Sequence, residues 1–177
     1  MSKTKKVVEK RFRKPRAIPG EPWAKVKKSA VHGRGVFAIK DIPEDTLIIE
    51  YTGRRISSDE ADDMWPVNPD DPFHTFFFSL SSGETIDGGT KGNASKWINH
   101  SCDPNCEARE GTHGKRVYIY SLRDIKKGEE LFFDYGLVID DELTEELKRD
   151  YQCLCGSKKC RGTMLNLTSF EVEKETE

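Results

Sequence analysis

Eight residues, Asn99-His100-Ser101-Cys102-Asp103-Pro104-Asn105-Cys106, constrain this chain more than any other stretch. Two amides, an imidazole and two thiols make its fixed chemistry dense and leave almost no apolar bulk. A second dense stretch follows at Glu130-Leu131-Phe132-Phe133-Asp134-Tyr135-Gly136. A third is Cys153-Leu154-Cys155, with Cys160 close behind. The three segments are expected to meet in space.

Five cysteines without a secretory leader point to a reducing compartment, cytosol or nucleus. In that setting metal ligands or buried thiols come before disulfides. At 177 residues, with 35% hydrophobic and 34% charged residues, the chain suits one domain with a modest core and tails. No run approaches the roughly 20 apolar residues of a membrane span, so no membrane partner is expected. The net charge of -2 hides a split. Residues 1–28 carry 11 basic residues against Glu9 and Glu21, whereas the remainder carries 18 basic and 29 acidic residues. The basic start reads either as a solvated arm or as an arm making weak contact with nucleic acid. The acidic remainder would attract a cationic protein rather than DNA.

Residues 1–22 read as a flexible arm broken by Pro15, Pro19, Gly20 and Pro22, with Trp23 opening the folded part. Residues Ser29 to Ala38 run from a glycine turn into a short strand, and Gly33 and Gly35 would let backbone approach a ligand closely. No helix pattern follows, which excludes a dinucleotide fingerprint or a phosphate loop. Thr46 to Tyr51 is a strand. Ser57 and Glu60 form a capping box for a short helix that ends before Pro66, and Pro66 to Pro72 is a loop. His74 to Leu80 reads as a strand, Ser81 to Glu84 as a hairpin turn and Lys115 to Ser121 as a strand. Leu143, Leu147 and Tyr151 make a helical stripe suited to core packing. One internal echo stands out: Asp41-Ile42 leads through a turn to Glu50-Tyr51, and Asp124-Ile125 leads through a turn to Asp134-Tyr135. Either two ordinary strands coincide in pattern, or two strands deliver two tyrosines to one site.

Several motifs in order carry a family resemblance. They are His32-Gly33-Arg34-Gly35-Val36-Phe37, Glu50-Tyr51-Thr52-Gly53, Gly92-Asn93 running into Asn99 to Cys106, and Gly128-Glu129-Glu130-Leu131 through Asp134-Tyr135. The chain resembles a SET-domain protein-lysine methyltransferase over about residues 25–165. The ending Cys153-Leu154-Cys155-Gly156-Ser157-Lys158-Lys159-Cys160-Arg161 resembles the family's post-SET zinc segment, in the manner of the trithorax-like branch. The resemblance implies a mainly β, SET-type β-clip fold of small sheets with a threaded C-terminal segment and few short helices. It divides the chain into a basic arm (1–22), a catalytic domain (23–138), a post-SET helix and zinc segment (139–166) and an acidic tail (167–177).

By the same resemblance the methyl donor is S-adenosylmethionine, and the substrate is a lysine in a protein, with a histone tail as the family-based expectation. Tyr135 corresponds to the catalytic tyrosine, and Tyr51 lines the lysine channel. Phe133 sits where the family carries tyrosine or phenylalanine, which favours a di- or trimethyl product. Cofactor contacts carry over to Gly33, Arg34, Gly35, Lys96, Trp97, Asn99, His100, Phe76, Leu154 and Tyr135. Cys102, Cys153, Cys155 and Cys160 are the implied ligands of one structural zinc ion, leaving Cys106 as a buried thiol. Two departures stand out. Lys96-Trp97 replaces the family's Arg-Phe, and Phe76 stands where a tyrosine is expected, which puts cofactor affinity and rate in question. An inactive zinc- and peptide-binding module is therefore the alternative reading, and a basic-arm nucleic-acid binder is a third.

Overall fold

The computed structural model describes residues 22–64, 70, 74–139 and 142–168. The basic arm, most of the Pro66–Pro72 loop and nearly all of the acidic tail lie outside the described residues.

The described chain is built from four small sheets. The first pairs β1 (Ala24–Lys28) with β2 (Arg34–Ala38), antiparallel, with Val26 opposite Val36. Val36 and Ala38 point into the core while Lys25 and Lys27 stay outside, the alternation of a half-buried ribbon. The second sheet centres on β9 (Val117–Ser121), flanked by β3 (Leu47–Tyr51) and β8 (Cys106–Glu110). The third runs β4 (Arg54–Ser57), β6 (Glu84–Asp87), β5 (Phe77–Ser79). The fourth pairs β7 (Asn99–His100) in parallel with β10 (Phe132–Phe133), which sets Asn99 against Phe132 and His100 against Phe133.

Two short helices, α1 (Ser58–Asp63) and α2 (Glu145–Asp150), complete the regular elements, with a 3-10 turn at Ala94–Trp97. Only half of the expected capping box forms at α1. Ser57 Oγ accepts from the Glu60 amide at 3.1 Å, but the Glu60 carboxylate turns to Arg54 at 2.9 Å. α2 is shorter than the Leu143–Tyr151 stripe: Thr144 caps it, Tyr151 ends it, and Leu147 is half-buried rather than in the core. Among the described residues no helix is long and apolar enough to cross a membrane.

The largest buried cluster takes Val36, Ala38, Ile42, Ile98, Cys106, Ile119, Ile125, Leu131 and Phe133. A second, smaller cluster joins Tyr51, Leu80, Ile86 and Val117. The strand expected over His74 to Leu80 is confined to Phe77–Ser79. The reason lies in the preceding residues. The Phe76 carbonyl accepts from the Gly88 amide (2.9 Å) and the Tyr51 hydroxyl (2.8 Å), and His74 leaves the sheet line to stack on His32.

Candidate active site

Asn105 organises the polar stretch that constrains the sequence. Its side-chain nitrogen donates to the Glu130 carbonyl, and its oxygen accepts from the Phe132 amide, both at 2.8 Å. Two bonds from one buried amide fix the start of the tyrosine-bearing strand against the Asn-His strand. Stranding either backbone group would cost about 1–3 kcal/mol.

β7 places Asn99 and His100 at the wall of a cavity of about 270 Å³. The rest of its lining includes Val31, His32, His74, Tyr135, Leu154 and Met164, together with Arg149, Asp150 and Gln152 from the end of α2 and beyond. Four of the cofactor candidates, Asn99, His100, Tyr135 and Leu154, therefore line one space. Leu154 is 54% exposed and lies at its mouth.

The side chains of the Asn-His pair also tie down the segments around the cavity. Asn99 Nδ2 donates to the carbonyls of Arg34 (2.9 Å) and His32 (3.3 Å) and to Glu130 Oε1 (3.0 Å). Its nitrogen thus holds the glycine turn. His100 Nδ1 accepts from the Tyr135 amide at 3.1 Å, and its Nε2 faces Cys102 Sγ at 3.4 Å. That assigns the proton to Nε2. Burial drives the His100 pKa down to about 4; Asp134 pulls it up and Arg161 pushes it down, and the ring is neutral. Both nitrogens are engaged inside the protein, so His100 offers the cavity its ring.

Gly33 and Gly35 have separate reasons. Gly33 turns with φ +42° and faces open space. At Gly35 a side chain would run into the Glu130 carboxylate, which accepts from Ser29 Oγ (3.0 Å) and from Asn99. Gly35 accordingly admits the Glu130 side chain. Arg34, Trp97, Phe76 and Lys96 form a cluster outside the lining of the cavity. The Arg34 guanidinium lies 5.0 Å from the Trp97 ring, and Lys96 Nζ lies 5.2 Å from Trp97 and 5.4 Å from Phe76. Phe76 meets Trp97 edge-on at 5.0 Å. The cluster closes by cation–π and aromatic contacts, with no need of a hydroxyl on Phe76.

From Tyr135 a series of rings leads away from the cavity: Phe133 at 4.9 Å, then Phe78 at 6.3 Å, then Tyr51 at 5.4 Å. The two tyrosines of the internal echo therefore belong to one aromatic series. Each donates its hydroxyl to a backbone carbonyl at 2.8 Å, Tyr135 to Ile98 and Tyr51 to Phe76. Burial raises both phenol pKa values, with Tyr51 adding to the shift at Tyr135 and Asp87 to that at Tyr51. Both hydroxyls stay protonated and present lone pairs beyond their donated bond.

On the far side of His100 the thiol sulfurs of Cys102, Cys153, Cys155 and Cys160 all lie within 4.8 Å of one another. Cys102 and Cys153 are 3.7 Å apart. Four sulfurs around a zinc ion at about 2.3 Å would sit about 3.8 Å apart, so the donor set and spacing fit a closed structural zinc site. Backbone amides of Cys155, Arg161 and Gly162 donate to Cys153, Cys102 and Cys160 at 3.4–3.5 Å, which favours the thiolate form that a metal needs. Cys106 is in the core, outside this cluster, and all five cysteines are free.

Sequence reasoning missed His74, Arg149, Asp150, Gln152 and Met164 as lining residues, and Glu130 and Asn105 as the ties behind the site. The signal for the last two was their place inside the quoted motifs. His74 arrives by stacking on His32, and Arg149, Asp150, Gln152 and Met164 arrive only with the folded C-terminal segment.

The chain is similar to the histone-lysine N-methyltransferase set-2 of Caenorhabditis elegans, 38% identical over 143 residues, covering 78% of this chain and 9% of that protein. It is 35% identical to the histone-lysine N-methyltransferase trithorax of Drosophila melanogaster over 76% of this chain, and 36% identical to human histone-lysine N-methyltransferase 2B over 77%. It spans 4% and 5% of those two proteins. Among solved structures, ctPRC2 in an autoinhibited conformation bound to S-adenosylmethionine matches with a TM-score of 0.59 and 35% identity, over 66% of this chain and 15% of that one. The SET domain model matches residues 33–136. That span holds the glycine turn, the Asn-His strand and both tyrosines, and by it the chain belongs to the SET-domain family.

Proposed function

We propose that the chain is a protein-lysine methyltransferase that uses S-adenosylmethionine and acts on a basic protein, a histone tail first among candidates. The observation that carries this reading is the position of Tyr135. Its ring lines the cavity and also begins the aromatic series, so one residue joins a cofactor space to the rings that, on this reading, wall the passage for the substrate lysine. Relatives named as histone-lysine N-methyltransferases and the solved structure of ctPRC2 bound to S-adenosylmethionine support the same assignment.

S-adenosylmethionine supplies a methyl carbon activated by a sulfonium. The roles of the chain follow from what its atoms already do. The Tyr135 oxygen donates to Ile98 and keeps lone pairs for weak C–H···O contacts to a methyl group. With its pKa raised it is no base, and neither is Tyr51. The rings of Tyr51, Phe78 and Phe133 exclude water from the passage. An amine in such surroundings loses its proton more readily than its ordinary pKa of about 10.4 implies, because burial disfavours the cation. In-line alignment then supplies much of the rate. Phe133 adds no hydroxyl, which leaves room for a methylated amine and favours a di- or trimethyl product. Residues 23–138 form the catalytic part. Residues 139–166 form a clasp that holds zinc through Cys102, Cys153, Cys155 and Cys160 and closes the cavity.

The departures at Phe76 and Lys96 favour a second reading, a binding module without turnover. One experiment separates the two: transfer of radiolabelled methyl from S-adenosylmethionine to histones and to tail peptides, with Tyr135→Phe as the control. Incorporation by the wild type and its loss in the variant is the expected result. Cofactor binding without incorporation on any histone or peptide would leave the module reading. The acidic remainder of the chain supports a cationic substrate.

A further inference from the structure

Arg161 follows the last cysteine of the clasp, yet its side chain serves the catalytic strand. Its guanidinium grips both oxygens of the Asp134 carboxylate, Nη1 to Oδ2 at 2.6 Å and Nη2 to Oδ1 at 2.8 Å. The remaining donors reach the segment that follows the clasp, Nε to the Leu165 carbonyl at 2.8 Å and Nη2 to the Met164 carbonyl at 3.2 Å. Its backbone amide donates to Cys102 Sγ at 3.5 Å. The pair is partly shielded, with side-chain exposures of 23% for Arg161 and 37% for Asp134.

Asp134 passes this grip on. Its Oδ1 accepts from the Gly136 amide at 2.9 Å, so the residues on either side of Tyr135 are fixed while the Tyr135 amide itself donates to His100 Nδ1. Met164, held through its carbonyl, lines the cavity. One fork-shaped cation therefore joins the cysteine cluster, the cavity floor and the turn on which Tyr135 sits, a geometry that lysine cannot reproduce.

We propose that Arg161 is the positioning residue through which the cysteine clasp sets the cofactor cavity and Tyr135, acting by its bidentate hold on Asp134. The proposal rests on the methyltransferase reading above. It implies that the metal can be fully bound while the cavity is slack, if this one side chain is changed.

The test is a double-mutant cycle on the full chain with Arg161→Gln, Asp134→Asn and the double variant, plus Arg161→Lys. Zinc is measured by elemental analysis, S-adenosylhomocysteine affinity by calorimetry, and KM for each substrate with kcat. The expected result is zinc retained at one equivalent in every variant and S-adenosylhomocysteine affinity lowered tenfold or more in Arg161→Gln. Arg161→Lys should fall between that variant and the wild type. KM for S-adenosylmethionine should rise while KM for the peptide holds, and the double variant should be no worse than either single one. Wild-type affinity in Arg161→Gln overturns the proposal. So does joint loss of zinc and ligand, which would make Arg161 a part of the clasp's own fold. Wild-type protein that binds no S-adenosylhomocysteine at all overturns the methyltransferase reading itself, a result distinct from either.

Discussion

Ile42 and Ile125 exchange both of their backbone hydrogen bonds, each at 2.8 Å. The neighbouring acids mirror the exchange. Asp41 accepts from the Lys127 amide and Asp124 from the Glu44 amide, both at 2.9 Å. The repeated turn-then-strand pattern in the sequence is thus a physical pair, in which each turn caps the other. Both isoleucines are almost fully buried. Ile125→Ala should cost about 2–5 kcal/mol and Ile125→Val about 0.5–1.5 kcal/mol by urea unfolding. Ile125→Val should leave turnover per folded molecule unchanged. A loss under 1 kcal/mol for the alanine variant would mean that the pairing of the turns does not organise the core.

That pair also marks how far the sequence could be read. The echo was visible because turn residues and short apolar runs ending in an acid and a tyrosine recur locally, and such signals survive without tertiary context. The four thiols and the two tyrosines were legible for a related reason: their chemistry leaves few bland alternatives once several motifs stand in order. β1 and β8 gave no usable period, and the parallel pairing of β10 with β7 left no local signal. Three of the five residues of β1 are lysine, β8 carries charges on a partly exposed face, and β10 is two residues long. Their pairing is decided by partners far along the chain. The second task of Asn99, holding the glycine turn, was hidden on the same ground. A buried amide can serve a ligand or a backbone turn, and only the distance to the Arg34 carbonyl decides.

Tyr135→Phe removes the hydroxyl that donates to Ile98 and leaves the ring against Phe133 and His100. Loss of one preorganised polar contact at a reacting centre typically costs about 10²–10³-fold in kcat. A fall of that size is expected in single-turnover methyl transfer, with S-adenosylhomocysteine affinity within about threefold of wild type. Full activity in the variant would remove Tyr135 from the chemistry.

Burial pushes the Cys106 thiol up to about 12, against weaker opposite pulls from the Phe132 amide and Arg123. The folded state therefore keeps a proton that the unfolded chain releases near pH 9. This contribution is complete below about pH 9 and is lost as pH rises toward 12. At pH 10.5 the loss amounts to about 2 kcal/mol. The stability difference between wild type and Cys106→Ala, measured in urea at pH 8 and 10.5, should shrink by that amount. An unchanged difference would show that the thiol ionises in place.

The cluster of Cys102, Cys153, Cys155 and Cys160 should carry one equivalent of zinc in freshly purified protein. Chelation should free the clasp and, through Cys102 beside His100, lower S-adenosylhomocysteine affinity at least tenfold, with recovery on adding zinc back. Alkylation of the chelated but undenatured protein should then label four cysteines and spare Cys106, as read by peptide mapping. Less than half an equivalent of zinc would count against the clasp.

Phe133 is 5% exposed and sits between Phe78 and Tyr135. Phe133→Tyr adds one oxygen to the wall of the passage. That oxygen needs a hydrogen-bond partner, a role a bound water would fill. A hydroxyl with its water takes the volume that a second methyl group would fill. Intact-peptide mass spectra should therefore change from di- or trimethyl product in the wild type to monomethyl product in the variant, with the first transfer slowed by less than about tenfold. The ring packing is kept, so folding should survive the change, as a thermal melt would verify. A wild type that stops at monomethyl, with the variant no different, would mean that the size of this wall does not set the product.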